Sequence, residues 1–327
     1  MHSFRTEIKV DPSKHKLSHN SNVFLIGSCF SNNIGEKLFS LKFNTCVNPF
    51  GVLYNPVSIY NGLEFLLSKK QFSENEINFY NEKWFSFYHH TSFSNTDKNE
   101  CLNNINSNLE ISSEFLGKTD FLIITFGTAR VYRYKKTDKI VSNCHKIPTK
   151  EFNHELLSVE NIVDIYEILI NELNSLNSKM QIICTVSPIR HWKDGAHGNQ
   201  VSKSILIQAI EEIIRKYNNC YYFPGYEIMM DDLRDYRFYE ADMLHPNQIA
   251  VDYIWEIFSN TYIDEKSKSI FPDIQKIINA YNHKPLNPES KDFKEFIDAT
   301  VQKINTIQKK FSNLNFKKEL EYLNQFV

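Results

Sequence analysis

Four short apolar runs recur along the first two thirds of the chain without alternating polar positions. They are rich in β-branched and aromatic residues and have the length of strands: 22–27, 120–127, 180–188 and 220–224. Runs of this kind are typical of central strands in a sheet that is covered on both faces. The pattern therefore predicts a buried sheet whose strands are well separated in the sequence.

Segments with helical periodicity lie between and after these runs. Apolar residues recur at spacings of three and four, which predicts helices at 31–41, 56–67, 159–177, 199–217 and 247–261. Strands that alternate with helices form crossover units, so we expect an α/β fold, a three-layer α/β/α sandwich with a mainly parallel, flavodoxin-like sheet. In such folds the functional site lies beyond the carboxyl ends of the strands.

Two regions interrupt this alternation. Residues 68–118 are polar and lack strong periodicity, which predicts a loop-rich insertion. After about residue 264 the composition changes to Lys- and Glu-rich helix, so we expect an α/β domain at 1–264 and a helical extension at 265–327. An apolar stripe in the extension favours packing on its own domain, with a homodimer contact as the alternative.

Composition and charge limit the class of protein. The chain has 327 residues, 42% of them hydrophobic, and a formal net charge of −2. It can bury a large core and has no overall attraction to nucleic acid or anionic lipid, so we expect a small-molecule partner, not nucleic acid or a membrane.

The first residues lack the apolar core of a secretory signal, which predicts a cytoplasmic protein. No C-x-x-C pair or compact histidine spacing is present, so neither a metal nor a cofactor is predicted.

The first apolar run leads directly through Gly27 and Ser28 to Cys29 and a helix start. Backbone N–H groups converge at such a start, and the helix dipole favours negative charge there. Because a helix amino end can lower a cysteine pKa, Cys29 is predicted to be a nucleophile. The alternative is that Ser28 caps the helix while Cys29 fills core space.

A second stretch, EADMLHPN at 240–247, contains Asp242 and His245. A histidine that acts as a base needs an acceptor on its other ring nitrogen, and an Asp three residues earlier can supply it. The same spacing is common in ordinary surface turns. Together with Cys29, however, the pair predicts a Cys-His-Asp arrangement.

These stretches resemble the GSCFA-domain family, a bacterial group placed with the SGNH (GDSL-like) hydrolases. The resemblance is carried by GSCFS at 27–31 and DMLHP at 242–246. Further matching stretches lie between them, among them NPFGVLYNP at 48–56, TFGTARVY at 125–132 and SPIRHWKDGAHGNQVSKSIL at 187–206. The resemblance extends from about residue 4 to residue 262.

The resemblance implies an esterase or acyltransferase that acts on O-acyl esters, with an O-acetylated carbohydrate as the leading substrate. It places Cys29 at the nucleophile position and Gly51 at the oxyanion-hole glycine. The third block of the superfamily normally supplies an Asn, whereas this sequence has Gly127 and Thr128. A missing donor can cost about 3 kcal/mol of transition-state stabilisation, which the Thr128 hydroxyl or a backbone amide would have to replace.

Three further residues are predicted to border the site. Arg190 and His191 follow the third apolar run. Arg190 can clamp a carboxylate or phosphate of a substrate, or it can brace its own loop. His90 belongs to the 68–118 insertion and is predicted to face the pocket, with aromatic packing as the alternative.

Two alternatives to the Cys29 enzyme stay open. The first is a non-catalytic ligand-binding module, since a fold does not confer an activity and the Asn donor is absent. The second keeps the same acyl chemistry with Ser28 as the nucleophile and Cys29 packed below it.

Overall fold

The computed structural model describes residues 5–283, 285, 287 and 289–326. The strands found in these residues are β1 (Asn22–Gly27), β2 (Asn44–Val47), β3 (Asn78–Tyr80), β4 (Lys83–Phe85), β5 (Phe121–Phe126), β6 (Arg130–Tyr134), β7 (Lys139–Val141), β8 (Phe152–Leu156), β9 (Gln181–Val186) and β10 (Cys220–Phe223). The helices are α1 (Cys29–Ser40), α2 (Pro56–Leu67), α3 (Lys98–Leu116), α4 (Val159–Leu176), α5 (Gly195–Lys216), α6 (Gly225–Glu227), α7 (Gln248–Tyr262), α8 (Glu265–Lys268), α9 (Phe271–Asn282), α10 (Lys291–Lys310) and α11 (Lys317–Leu323).

The central sheet has the strand order β10-β9-β5-β1-β2, and every pairing in it is parallel. Gly27 pairs with Thr125, which in turn pairs with Thr185. The strands β1, β5 and β9 therefore end at the same level, which we call the carboxyl edge. The segments that leave these strands enter one shared region of the molecule.

Apolar side chains cover both faces of this sheet. On one face α2, α3, α4 and α5 pack against the side chains of Phe24, Ile124 and Cys184. On the other face α1, α7 and the helices after residue 264 pack against Leu25 and Ile123. Successive residues of a strand point to opposite faces, so the uninterrupted apolar runs supply both layers. This arrangement confirms the predicted three-layer sandwich.

The prediction of a loop-rich segment at 68–118 is wrong for residues 98–116, which form the helix α3. Cys101, Ile105, Leu109 and Leu116 are its buried apolar positions. One apolar residue per turn, separated by Asn, Ser and Glu, gives a weak periodic signal in the sequence. Packing of this narrow stripe on the sheet stabilises a helix that local sequence only weakly favours.

The extension packs against the α/β domain. Ile297, Ile304 and Ile307 of α10 are buried in the same core as α1 and α7. Two small antiparallel sheets, β3-β4 and β7-β6-β8, lie outside the central sheet. Among the described residues, no helix is both long enough and apolar enough to cross a membrane.

Candidate active site

The turn after β1 determines where Cys29 lies. Gly27 has a φ of +137°, and a Cβ atom added there would lie 2.1 Å from the backbone oxygen of Thr125. Only glycine fits this turn without moving the neighbouring strand. Ser28 is 1% exposed, and its hydroxyl accepts a hydrogen bond from the Phe30 N–H at 3.3 Å. Ser28 is therefore the helix cap, as the structural alternative predicted.

Cys29 begins α1 and is partly buried. Burial raises the pKa of the Cys29 thiol, although its own N–H, the Phe30 N–H and the charge of Lys203 act in the opposite direction. The prediction that the helix amino end gives this cysteine a low pKa is therefore wrong, because desolvation of the thiolate is the larger effect. At neutral pH the side chain is a thiol and needs a base to become a strong nucleophile.

Asp242 and His245 form a hydrogen-bonded pair on the loop before α7. The Asp242 Oδ2 atom lies 2.5 Å from His245 Nδ1, and both side chains are about half exposed. The Asp242 Oδ1 atom accepts hydrogen bonds from the N–H groups of His245 and Leu244, both at 2.9 Å. These two N–H groups, followed by the imidazole, lower the pKa of Asp242 to about 2. Asp242 is thus an ionised acceptor that orients the ring and leaves Nε2 to accept a proton.

His191 lies beside Gly127 at the carboxyl edge. A Cβ added at Gly127 would lie 3.2 Å from His191 Nε2. Burial, the charge of Lys203 and the charge of His245 lower the pKa of His191 to about 4, so its ring is neutral at physiological pH. In the described part of the chain, no direct hydrogen bond joins Cys29 Sγ to His245.

The two backbone N–H groups that follow β5 already have a carbonyl partner. The N–H groups of Gly127 and Thr128 both donate to the Tyr54 carbonyl, at 2.7 and 2.9 Å. The Thr128 hydroxyl lies 2.9 Å from the Ser202 hydroxyl. The Thr128 N–H is therefore already used. Either hydroxyl can donate in the Thr128–Ser202 contact, so the role of the Thr128 hydroxyl as a substitute for the absent Asn stays a prediction.

The backbone N–H of Gly51 also has a hydrogen-bond partner. Its N–H donates to the Asn48 carbonyl at 2.7 Å, which closes a turn. The predicted role of this amide as an oxyanion donor is therefore wrong in the conformation described. His90 packs directly against Gly51 and donates its backbone N–H to the Phe50 carbonyl at 2.8 Å, while its Nδ1 accepts from the Ser92 N–H. The insertion thus contacts the loop after β2, and the role of His90 at the pocket stays a prediction.

Replacing Gly51 by alanine is expected to lower the free energy of unfolding by about 2–3 kcal/mol. Its φ is +72°, and the new Cβ atom would lie 2.2 Å from the Cβ of His90. Urea unfolding followed by circular dichroism measures the effect. Gly117→Ala is the matched control, because the nearest atom there is 3.6 Å away and φ is −60°. Equal stability of the two variants would contradict the assigned strain.

Sequence reasoning missed a lysine at the centre of the site. Lys203 is 1% exposed, and its ammonium group donates to the carbonyls of Gly127 at 2.8 Å and Ser187 at 2.7 Å. It therefore ties together the ends of β5 and β9. Burial lowers the pKa of Lys203 to about 7, although the charges of Cys29 and Glu227 oppose this. The spacing of buried α5 residues at 199, 202, 203, 206 and 210 could have revealed it.

Tyr54 is a second residue that the sequence did not single out. Burial and then the charge of Cys29 raise the pKa of Tyr54. Its ring packs edge-on against His191, with 5.4 Å between ring centres. The NPFGVLYNP stretch contains this tyrosine but offers no chemical signal for it.

The remaining predicted residue, Arg190, follows β9 and lines a cavity of about 480 Å³ that Asp242 also lines. Among the described residues, no group of three or more His, Cys, Asp or Glu side chains is placed to hold a metal ion. At the carboxyl edge, Tyr54, His191 and Lys203 thus surround Gly127, while Cys29 follows the neighbouring strand β1. The Asp242–His245 pair lies on the loop before α7.

A parallel three-layer sandwich with a thiol after its first strand and an Asp–His pair before a late helix defines an α/β protein with a candidate nucleophile site. The chain belongs to the GSCFA family. The family model matches residues 22–258, and the model of the GSCFA domain protein, C-terminal domain matches residues 274–327. The family resemblance is thereby confirmed.

Two solved structures illustrate what the chain is similar to. A carbohydrate esterase of family 3 from Talaromyces cellulolyticus is 10% identical, with 77% of this chain and 99% of that chain covered and a TM-score of 0.34. An acetyl xylan esterase from the rumen bacterium Butyrivibrio proteoclasticus is 9% identical, with 83% and 66% covered and a TM-score of 0.31. Neither likeness is close enough to assign an activity here. A comparison with curated protein sequences finds no significant match.

Proposed function

We propose that this GSCFA protein is an acyl-ester hydrolase or acyltransferase of the SGNH type, with Cys29 as nucleophile, His245 as base and Asp242 as its orienting acid. The observation that supports this most directly is the 2.5 Å contact between Asp242 Oδ2 and His245 Nδ1. It sets the tautomer in which Nε2 can accept a proton. The thiol of Cys29, with its raised pKa, needs such a base.

Burial favours Cys29 over Ser28 as the nucleophile. Ser28 is 1% exposed and its hydroxyl is used in the cap, whereas the Cys29 side chain is partly exposed at the carboxyl edge. A nucleophile must reach the carbonyl carbon of its substrate. Catalytic hydrogen bonds often tighten only when a substrate binds, so the half-exposed His245 loop is expected to bring Nε2 toward the sulfur in the complex.

The proposed reaction has two steps. The sulfur of Cys29 forms a bond to the acyl carbon, the thiol proton passes to His245 Nε2, and this proton then protonates the departing alcohol oxygen as the C–O bond breaks. Water next attacks the thioester with His245 as base, which releases the carboxylic acid and restores the thiol. A hydroxyl acceptor in place of water would make the same site an acyltransferase.

The N–H of Cys29 is the proposed oxyanion donor, because the N–H groups of Gly51, Gly127 and Thr128 all have carbonyl partners. It belongs to the first turn of α1, where backbone N–H groups lack partners within the helix. An O-acetylated carbohydrate is the proposed substrate.

Asp242→Asn is expected to reduce kcat for p-nitrophenyl acetate about tenfold to hundredfold. The neutral amide of the new Asn cannot stabilise the protonated His245 ring as the carboxylate does. Because both side chains are about half exposed, solvent screening limits the decrease in kcat. Since the pKa of Asp242 is about 2, its carboxylate should impose no further pH dependence on activity above about pH 4. Asp252→Asn is the control, because Asp252 is also a half-exposed, ion-paired aspartate, bonded to Lys37.

The outcomes of this assay separate the proposals. Unchanged kcat in Asp242→Asn would remove the Asp–His pair from the mechanism. A binding module would give a different result: the wild-type protein would show no turnover, and the Cys29→Ala variant would still bind a sugar ligand.

A further inference from the structure

A cavity of about 480 Å³ adjoins the Asp242–His245 pair and does not include Cys29 in its wall. Its volume falls in the range of small-molecule binding sites. Three segments contribute to it: the residues after β9, the turn before the Asp–His loop, and that loop itself. The lining residues on which the inference depends are Arg190, Trp192, Arg234, Asp235, Tyr236 and Asp242.

Exposed aromatic rings line this cavity. Trp192 is 49% exposed and Tyr236 is 76% exposed, although both are large apolar side chains. Clustered exposed apolar surface beside polar groups commonly marks a binding site. Flat rings of this kind offer faces on which the C–H face of a sugar ring can pack.

The cavity also contains a cation without a counter-ion. Among the described residues, Arg190 forms no hydrogen bond or ion pair. The centre of the Trp192 ring lies 6.0 Å from its guanidinium carbon. The other charged side chains of the wall all have partners of opposite charge or an imidazole partner: Arg234 with Asp231, Asp235 with Arg237, and Asp242 with His245. An unpaired guanidinium is suited to the forked recognition of a carboxylate or phosphate.

The loop-bracing role of Arg190 has no support in this geometry. Such a role requires guanidinium N–H groups that donate to backbone carbonyls, and no such bond is found for Arg190 among the described residues. In the part of the chain that the structure describes, its buried Nε has no hydrogen-bond partner. A partner that arrives with the substrate would satisfy it.

We infer that this cavity binds an acidic sugar unit, so that the substrate is an acyl ester of a carbohydrate bearing a carboxylate or a phosphate. The anion binds Arg190 and the sugar ring packs on Trp192 and Tyr236. The inference rests on the proposed function for the position of the scissile ester, because Asp242 lies in both the cavity wall and the Asp–His pair.

Isothermal titration of the full chain with sodium glucuronate, glucose 6-phosphate and glucose tests this inference without requiring turnover. At least one anionic sugar is expected to bind about tenfold or more tightly than glucose. Whichever of the two anions binds more tightly identifies carboxylate or phosphate as the recognised group.

Variants of the two cavity arginines complete the test. Arg190→Gln is expected to abolish the preference for the anionic sugar, Arg190→Lys to retain part of it, and Arg234→Gln, whose arginine already pairs with Asp231, to keep it. Equal binding of charged and neutral sugars by the wild-type protein, or a preference that survives in Arg190→Gln, would overturn the inference. Anion-selective binding without any ester turnover would leave the cavity assignment intact and refute the proposed enzyme.

Discussion

Cys29→Ala is expected to reduce hydrolysis of p-nitrophenyl acetate by at least about 10⁴-fold, because the proposed acyl intermediate forms on its sulfur. The wild-type rate should rise with pH through the neutral range and above it, since the pKa of the Cys29 thiol is raised by burial. Inactivation by iodoacetamide should follow the same pH dependence. Steady-state kinetics and mass spectrometry of the alkylated protein measure both effects.

Two variants serve as controls for this prediction. Cys144→Ala removes another partly exposed thiol, whose pKa burial raises to about 11, and it should leave turnover unchanged. Ser28→Ala should cost about 1 kcal/mol of stability through loss of the helix cap, yet keep turnover within about tenfold. If Ser28→Ala is inactive and Cys29→Ala is active, the serine alternative is correct and the cysteine mechanism is refuted.

Lys203→Met is expected to remove a pH-dependent contribution to stability of a few kcal/mol. The pKa of Lys203 is lowered from 10.5 in the unfolded chain to about 7 in the folded one. Between these pH values the unfolded chain binds a proton that the folded chain does not, so the wild-type free energy of unfolding gains about 1.4 kcal/mol per pH unit from this group. Below pH 7 Lys203 is charged in both states, so the folded chain carries the full free-energy cost of burying its ammonium group.

Urea unfolding at pH 6 to 10 measures this contribution as the difference between wild type and Lys203→Met. The difference should grow in favour of the wild type as pH rises from 7. At pH 6 the Lys203→Met variant does not bear the free-energy cost of burying a charged ammonium group. It also leaves the Gly127 and Ser187 carbonyls without their hydrogen-bond donor. Lys216→Met on the same helix is the control, because Lys216 is exposed. Parallel pH profiles for wild type and Lys203→Met would show that Lys203 is not a buried, shifted amine.

The strands of the sheet could be predicted from local sequence, because a strand covered on both faces is apolar at most of its positions. Residues 22–27 illustrate this, since five of these six residues are buried. The helix at 98–116 could not be read in the same way. Only a narrow stripe of α3 contacts the sheet, and the remaining polar residues leave its pattern close to that of a loop.

The candidate site was predicted in part. Motif spacing correctly anticipated the hydrogen bond between Asp242 and His245, because the two residues are close in the chain. It could not anticipate that the amide of Gly51 bonds to Asn48, or that Thr128 pairs with Ser202 from a distant helix. Residue type shows that a donor exists, whereas only the folded chain shows whether that donor is already used.

The sequence by itself determined the sheet, the helices with wide apolar faces, the family, and a cysteine and an Asp–His pair at opposite ends of one domain. The tertiary structure decided the protonation of the site. Burial raises the pKa of Cys29 where local sequence suggested a low value, and it places Lys203 beneath the carboxyl edge with a pKa near 7. The reason is physical: periodicity depends on neighbours along the chain, whereas the free energy of a charge depends on solvent exclusion and on groups brought together from distant segments.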